Sequence, residues 1–250
     1  MEWLAKTGAD IFCLQEVRAS DDQLAKVLAD AGLGHLQLAH TEAAVSGRAG
    51  AAIASRYPLL AVQVGLAPPQ FAASGRWIEA TVATDLGPVT AASVYVQPGE
   101  AETDRQVEKY KFLDAVSQRM TELLAQAAAG LGEVVVCGDF NIAHRQADLK
   151  NWRGNLGKSG FLPAEQAYLD RWLAAGWTDL VRADAGDVAG PYTWWSWRGK
   201  AFDHDTGWRI DYQWATPQLA AGMTSCQVGR AHSYANRWSD HAAVTTFFTS

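Results

Sequence analysis

Four short segments of this chain end a buried, strand-like run on an acidic or amide side chain. They are Leu14-Gln15-Glu16, Gly138-Asp139-Phe140-Asn141, Arg209-Ile210-Asp211 and Ser239-Asp240-His241. A carboxylate at a strand end is held by a rigid scaffold yet reaches a cleft, which suits a metal ligand or a general base. Each segment alone reads equally well as a helix cap or a turn bond. The Gly-Asp-Phe-Asn run says more. Glycine lets the backbone turn sharply, and Asp139 and Asn141, two residues apart, point to the same side of an extended chain. A carboxylate and an amide then share one small volume. His241 directly precedes the apolar run Ala242–Phe248 and so lies at a strand mouth. With Asp211 as an orienting partner it suits an acid or phosphate-binding role better than that of a capped core residue. The other histidines, His35, His40, His144, His204 and His232, stand in polar or loop-like surroundings and read as surface or packing residues.

Those side chains need elements to position them. Short apolar runs bounded by turn signals predict strands at Ala9–Gln15, Ala49–Ser55, Trp77–Thr84, Val89–Val96, Glu133–Cys137, Ile210–Ala215 and Ala242–Phe248. Helices are expected over Asp21–Ala31, with Leu24, Val27 and Leu28 on one face, and over Thr103–Gly130, where Val107, Tyr110, Phe112, Leu113 and Val116 form an apolar stripe. A third covers Pro163–Gly176, opened by proline and closed by glycine. Some strands follow one another directly and others are joined through helices. That mixture predicts an α/β fold with two mixed sheets packed face to face and helices outside. With no linker, repeat or low-complexity tract, residues 1–250 read as one domain.

Composition narrows the class. Hydrophobic residues make up 48% of the 250 and charged residues 19%, which argues for a folded chain and against disorder. No apolar run approaches the roughly 20 residues of a bilayer span. The opening MEWLAKTGAD lacks the basic and apolar regions of a signal peptide, so the expected compartment is the cytoplasm, with no membrane partner. Cys13, Cys137 and Cys226 have no zinc-site spacing and read as buried free thiols. A net charge of −6 argues against a protein that merely coats nucleic acid, yet allows an enzyme that meets DNA at one metal-loaded face. Six of the 11 tryptophans fall between Trp177 and Trp214, a local excess that needs a cause.

Taken in order, LQEV, VYVQPGE, GDFNIAHRQADL, YTWWSWRGKAFDHDTGWRIDY and SDHAAV resemble the exonuclease III and apurinic/apyrimidinic endonuclease family, within the endonuclease/exonuclease/phosphatase superfamily. The resemblance covers essentially the whole chain, including Gly157-Lys158-Ser159-Gly160-Phe161. It implies a four-layer, DNase I-like α/β sandwich and a metal-dependent DNA-repair phosphodiesterase with 3′→5′ exonuclease and abasic-site endonuclease activities. On that resemblance Glu16 binds Mg²⁺, with Mn²⁺ as the other fitting ion, and Asp240 is a second ligand or a neighbour. Asp139 and Asn141, beside the metal, position or deprotonate the attacking water. His241, held by Asp211, contacts the scissile phosphate, and Tyr95 donates to phosphate or supplies a proton. Trp194, Trp208 and Ile210 line a pocket for a flipped, base-less sugar, which an apolar slot selects by shape. Arg76, Asn151, Asn155 and Lys158 would contact the backbone of double-stranded DNA carrying abasic sites or 3′ ends. Trp172, Trp177 and Trp214 read as ordinary core. Nothing requires more than a monomer.

The chain departs from the family at its start. The family opens on a strand carrying a catalytic asparagine, and MEWLAKTGAD matches only the end of the helix that follows it. The expectation is a chain that folds poorly or acts weakly alone, which restoring the strand and comparing melting temperature and rate would test. Two other readings compete with the repair nuclease: an impaired protein that binds abasic sites or DNA ends without turnover, and a phosphodiesterase for lipid or inositol phosphates. The tryptophan pocket and the Asn151–Lys158 segment speak against the last. The ratio of exonuclease to endonuclease activity, metal number and the proton donor to the leaving oxygen stay open.

Overall fold

The computed structural model describes residue 4, residues 6–42 and residues 50–249. Ala49, at the head of an expected strand, lies outside the described residues, as do residues 1–3 and 5 of the opening segment. The chain divides into two compact units. One comprises Met1–Tyr95, Gln118–Gly138 and Ser250, and the other Val96–Ser117 and Asp139–Thr249.

In the first unit β1 (Ile11–Val17), β2 (Gln37–Thr41) and β3 (Gly50–Ser55) form an antiparallel sheet of order β1-β3-β2. β4 (Leu59–Val64), β5 (Trp77–Thr84), β6 (Gly87–Tyr95) and β7 (Glu133–Asp139, in this unit to Gly138) lie side by side in that order. All six residues of β3 are buried, because side chains alternate between two covered faces. Ala51 and Ile53 pack with Ile78, Ala80 and Val82 of β5, joining the two sheets. Ala52 and Ala54 face the other way, onto Phe12 and α1 (Asp21–Asp30) through Leu24 and Leu28. α1 starts where Ser20 and Gln23 complete a capping box, and burying a leucine of this kind stabilises by about 1.5–3 kcal/mol. On the far side, α3 (Asp104–Ala128) lends its second half. There Arg119 pairs with buried Glu79 of β5 at 2.5 Å, and Met120 and Leu123 are buried. Helix, sheet, sheet and helix are thus stacked in four layers. α2 is one short turn, Pro69–Ala72.

The second unit is built around aromatic side chains. Phe140, Tyr212 and Trp214 meet Trp172 of α4 (Pro163–Ala175), with Phe140 edge-on to Trp172 at 5.5 Å and Tyr212 stacked on Trp214 at 5.3 Å. The first half of α3 adds buried Phe112, Leu113 and Val116. α4 stops at Gly176, whose φ of 112° puts it in the left-handed region that favours glycine. β8 (Thr178–Asp179) pairs antiparallel with β9 (Asp211–Ala215), with α5 (Leu180–Ala185) between them in sequence. After α6 (Pro217–Ala221), β10 (Met223–Gly229) and β11 (Ala243–Phe248) form an antiparallel pair.

The α/β class and packed sheets agree with the sequence reading, and Trp77–Thr84 matches residue for residue. The other expected strands and helices shift by one or two residues at their ends. Four strands were not expected: β2, β4, β10 and the two-residue β8. β2 and β4 lie at sheet edges and β10 belongs to a two-stranded sheet, so none of these three is covered enough to need a strongly apolar pattern. The cysteines form no disulfide among the described residues and are half-buried rather than buried, and burial pushes the Cys226 thiol up to about 11. Among the described residues no helix is long and apolar enough to cross a membrane.

Candidate active site

The centre of the second unit's site is Asp139, the last residue of β7 and only 4% exposed. Asn141 follows with φ at 50°, a left-handed conformation that costs a non-glycine residue about 1–3 kcal/mol. Its backbone N and its Nδ2 donate to the two Asp139 oxygens at 2.8 and 2.7 Å, and Nδ2 also donates to the Val96 carbonyl at 2.9 Å. Carboxylate and amide therefore meet through a turn and not, as the sequence suggested, along an extended chain.

Two residues that sequence reasoning missed anchor this turn. Lys109, on the apolar stripe of α3, has a fully buried side chain that donates to the Asn141 carbonyl at 2.8 Å and to Glu165 of α4 at 2.6 Å. Burial pulls the Lys109 ammonium below its ordinary value, against the attraction of Glu165. Glu165 also accepts from Gln106, Ser159, Gly160 and Leu162, so the buried carboxylate is saturated with donors. The signal was there: a lysine on an apolar helix face has to find a buried anion.

His241 lies beside this turn. Its Nδ1 is 3.0 and 3.1 Å from the Asp211 oxygens, and its Nε2 is 4.0 Å from Asp139 Oδ2. Burial alone favours the neutral ring. Asp211, then Asp139 and Asp240, outweigh it and hold the imidazole up to about 10, so the ring is a cation at neutral pH. Asp211 opens β9, and Thr193 Oγ1 accepts from the backbone N of both Ile210 and Asp211 at 3.1 Å. Asp240 accepts from the Trp194 indole at 3.0 Å. The bridge pairings Trp194–Trp208 and Trp194–His241 knit these segments into short antiparallel contacts. Trp194 and Trp208 stand edge to face, 6.3 Å apart and half-buried, while Ile210 is 5% exposed. Gly160 allows the fit, because a Cβ there would come within 3.1 Å of the Trp208 ring.

Arg209, inside the quoted GWRIDY run, was also missed as a positioning residue. It is fully buried and donates to Asp148 and Asp179 at 2.7 Å each, with Arg182 on the same Asp148 oxygen. This ionic knot fixes the chain immediately before Ile210 and Asp211. The arginines hold the Asp148 carboxyl below its usual range, although burial alone would raise it. Of the expected DNA contacts, Asn151 and Lys158 are exposed, and Asn155 donates to the Asn151 carbonyl at 2.8 Å. The bridge Leu149–Trp208 ties the start of this segment to the tryptophan pair.

Glu16, Arg76 and Tyr95 belong to the first unit. Glu16 sits where the β1–β3 register shifts between Leu14 and Val17, with φ at 55°. A bulge of this kind re-aims a side chain. The carboxylate is 41% exposed and 3.0 Å from Arg18. Tyr95 ends β6, and its N donates to the Arg76 carbonyl at 2.9 Å. Gly138 is explained by close approach: a Cβ there would lie 1.9 Å from the Val94 oxygen. In the second unit Asp139, Asn141 and Asp240 are oxygen donors of the kind that a hard divalent cation takes, and in the first Glu16 offers an accessible carboxylate of the same chemistry. Among the described residues, three potential ligand side chains come within 4.8 Å of one another at Asp21, His40 and Glu42, none of them an expected ligand.

Residues 1–241 match the endonuclease/exonuclease/phosphatase family. The chain is 30% identical to an exodeoxyribonuclease of Bacillus subtilis over 212 residues, covering 85% of this chain and 79% of that protein. It is 29% identical to the DNA repair nuclease APEX1 of Danio rerio over 252 residues, covering 99% and 76%. A 3′ phosphatase from Neisseria, solved with a product DNA hairpin, superposes with a TM-score of 0.83 at 29% identity, over 99% of this chain and 91% of that one. With the acid–histidine cluster and these likenesses in agreement, the chain belongs to the endonuclease/exonuclease/phosphatase family.

Proposed function

We propose that this protein is a metal-dependent DNA-repair phosphodiesterase of the exonuclease III type, acting as an abasic-site endonuclease and a 3′→5′ exonuclease on double-stranded DNA. The observation that carries the reading is the placement of His241 between Asp211 and Asp139, with Nδ1 3.0 Å from Asp211 Oδ2 and Nε2 4.0 Å from Asp139 Oδ2. That gap is too long for a direct hydrogen bond and suits a water that accepts from His241 Nε2 and donates to Asp139 Oδ2. His241 donates to the scissile phosphate and stabilises charge that grows in the transition state. Asp211 keeps the ring charged and oriented. Asp139 takes the proton of the attacking water, and Asn141 holds the carboxylate in place through its two hydrogen bonds.

Glu16 in the first unit, and Asp139, Asn141 and Asp240 in the second, would supply oxygen ligands to a divalent cation, Mg²⁺ or Mn²⁺. When bound, such an ion neutralises phosphate oxygens and eases departure of the 3′ oxygen. Tyr95 donates to phosphate. The edge-to-face Trp194–Trp208 pair with Ile210 receives a base-less sugar, and Arg76, Asn151, Asn155 and Lys158 grip the phosphate backbone without reading sequence. The chain works as a monomer. The test is cleavage of a labelled duplex with one abasic analogue, in Mg²⁺ or EDTA, beside Asp139→Ala. Metal-dependent incision at the analogue, lost in the variant, is expected; binding without incision would overturn the reading in favour of an impaired binder.

A further inference from the structure

Two loops of the second unit, residues 196–206 and 230–239, carry large aromatic rings to solvent. Trp197 is 46% exposed, Tyr234 42% and Trp238 66%. Trp197 and Tyr234 stand edge to face at 5.7 Å and 90°. The Arg237 guanidinium lies over Trp197 at 4.0 Å and Tyr234 at 5.5 Å. Its own nitrogens donate to the Trp195 carbonyl at 2.6 Å and the Ser239 carbonyl at 3.2 Å, so the rings rest on a braced cation. Arg237 Nη1 is buried without a partner. A cavity of about 20 Å³, room for one water, has Arg237, Trp238, Ser239 and His241 among its lining residues, so Trp238 and His241 border the same space. The two loops hold four cations, Arg198, Lys200, Arg230 and Arg237, against Asp203 and Asp205, in a chain whose net charge is −6.

Exposed rings in a locally cationic setting match one ligand chemistry, the flat π-face of a nucleobase joined to a phosphate chain. Paired bases inside a duplex stack on each other and offer only their edges, whereas an unpaired or terminal base offers its face. We propose that this surface is a stacking platform for unpaired bases, seating the single-stranded side of a frayed end or junction beside His241. The proposal deepens the nuclease reading and rests on it for the identity of the DNA.

The experiment is fluorescence anisotropy of labelled oligothymidylate and of a blunt duplex, in EDTA, with the intact chain and with Trp238→Ala, Trp197→Ala and Trp238→Phe. Each alanine variant is expected to lose roughly ten-fold in oligothymidylate affinity, with a smaller change on the duplex, while Trp238→Phe keeps most of the binding. Thermal midpoints equal to that of the intact chain show that the fold is kept, as the exposure of Trp238 leads one to expect. The platform is overturned if the intact chain does not bind oligothymidylate, if the alanine variants bind it equally well, or if duplex affinity falls in parallel. Abasic-duplex cleavage by the intact chain is run alongside. Ring-dependent binding without cleavage would remove the nuclease reading alone, and cleavage with ring-independent binding would remove the platform alone.

Discussion

The second unit contains two ionic clusters of similar composition and opposite character. Around Asp148, every charge is answered: Arg209 and Arg182 converge on it, Arg209 also reaches Asp179, and the side chains of Arg209, Asp148 and Asp179 are at most 3% exposed. Around His241, one imidazole faces three carboxylates, Asp211, Asp139 and Asp240, and is 27% exposed. The first cluster has no unspent charge, and its Asp148, Asp179 and Arg209 side chains are covered, although Asp179, Arg182 and Arg209 line a cavity of about 350 Å³. The second has excess negative charge and a way in, the condition under which an external cation and a phosphate are welcome together. Ionisable residues alone do not separate structure from chemistry; charge balance does.

The largest expected effect comes from the open cluster. Asp139→Ala should lower abasic-site cleavage by about 10²–10⁴-fold while the melting temperature stays near that of the parent, since the turn keeps its Val96 and Lys109 bonds. A large fall in melting temperature would show that Asp139 belongs with the structural cluster. The closed cluster should answer in the opposite way. Arg209→Met strands Asp179 in the interior and leaves Asp148 with Arg182 alone, and breaking a buried pair by removing one partner costs about 3–5 kcal/mol. Urea denaturation would show it as a lower midpoint; a midpoint unchanged from the parent would contradict the assignment.

This contrast also explains what was legible in the sequence. The open cluster was readable because its members sit at strand ends, where Asp139, Asp211 and His241 interrupt apolar runs and so declare themselves. The closed cluster was not. Arg209 lies inside a run quoted for its neighbours, and its partners Asp148 and Asp179 are 61 and 30 positions away, separations that no local pattern encodes. Lys109 was hidden for the same reason, since Glu165 is 56 residues on. Core strands such as Trp77–Thr84 were legible because burial on both faces demands apolar residues. The edge strands β2 and β4 escaped because a strand with one partner is free of that demand. The shape of the Asp139–Asn141 turn needed the left-handed φ of Asn141, which no residue type announces.

Lys109→Met tests a residue between the two extremes, buried like the closed cluster but bonded to the open one. It leaves the buried Glu165 charge with the neutral donors Gln106, Ser159, Gly160 and Leu162 only, so the loss should match that for Arg209, about 3–5 kcal/mol. A purely structural lysine would lower only the denaturation midpoint. A positioning lysine should also lower kcat at a temperature where the variant is folded.

The smallest expected effect is on protons. In the metal-free protein the His241 imidazole is held up to about 10, from an ordinary value near 6.5. Between those values the folded chain binds a proton that the unfolded chain has released. The stability this contributes is complete below the unfolded value and is lost as pH rises through the folded one. Imidazole resonances followed by NMR in EDTA should titrate near the upper value. Asp211→Asn removes the largest attraction and should move the midpoint down, towards the neutral ring that burial favours. The Asp148 knot supplies the internal contrast, because its carboxyl is held below its usual range and its contribution is lost on acidification instead. If the open cluster is the one with unbalanced charge, Asp211→Asn should flatten the alkaline side of the stability profile. An alkaline side as steep as the parent's would mean that Asp211 is not what holds the His241 proton.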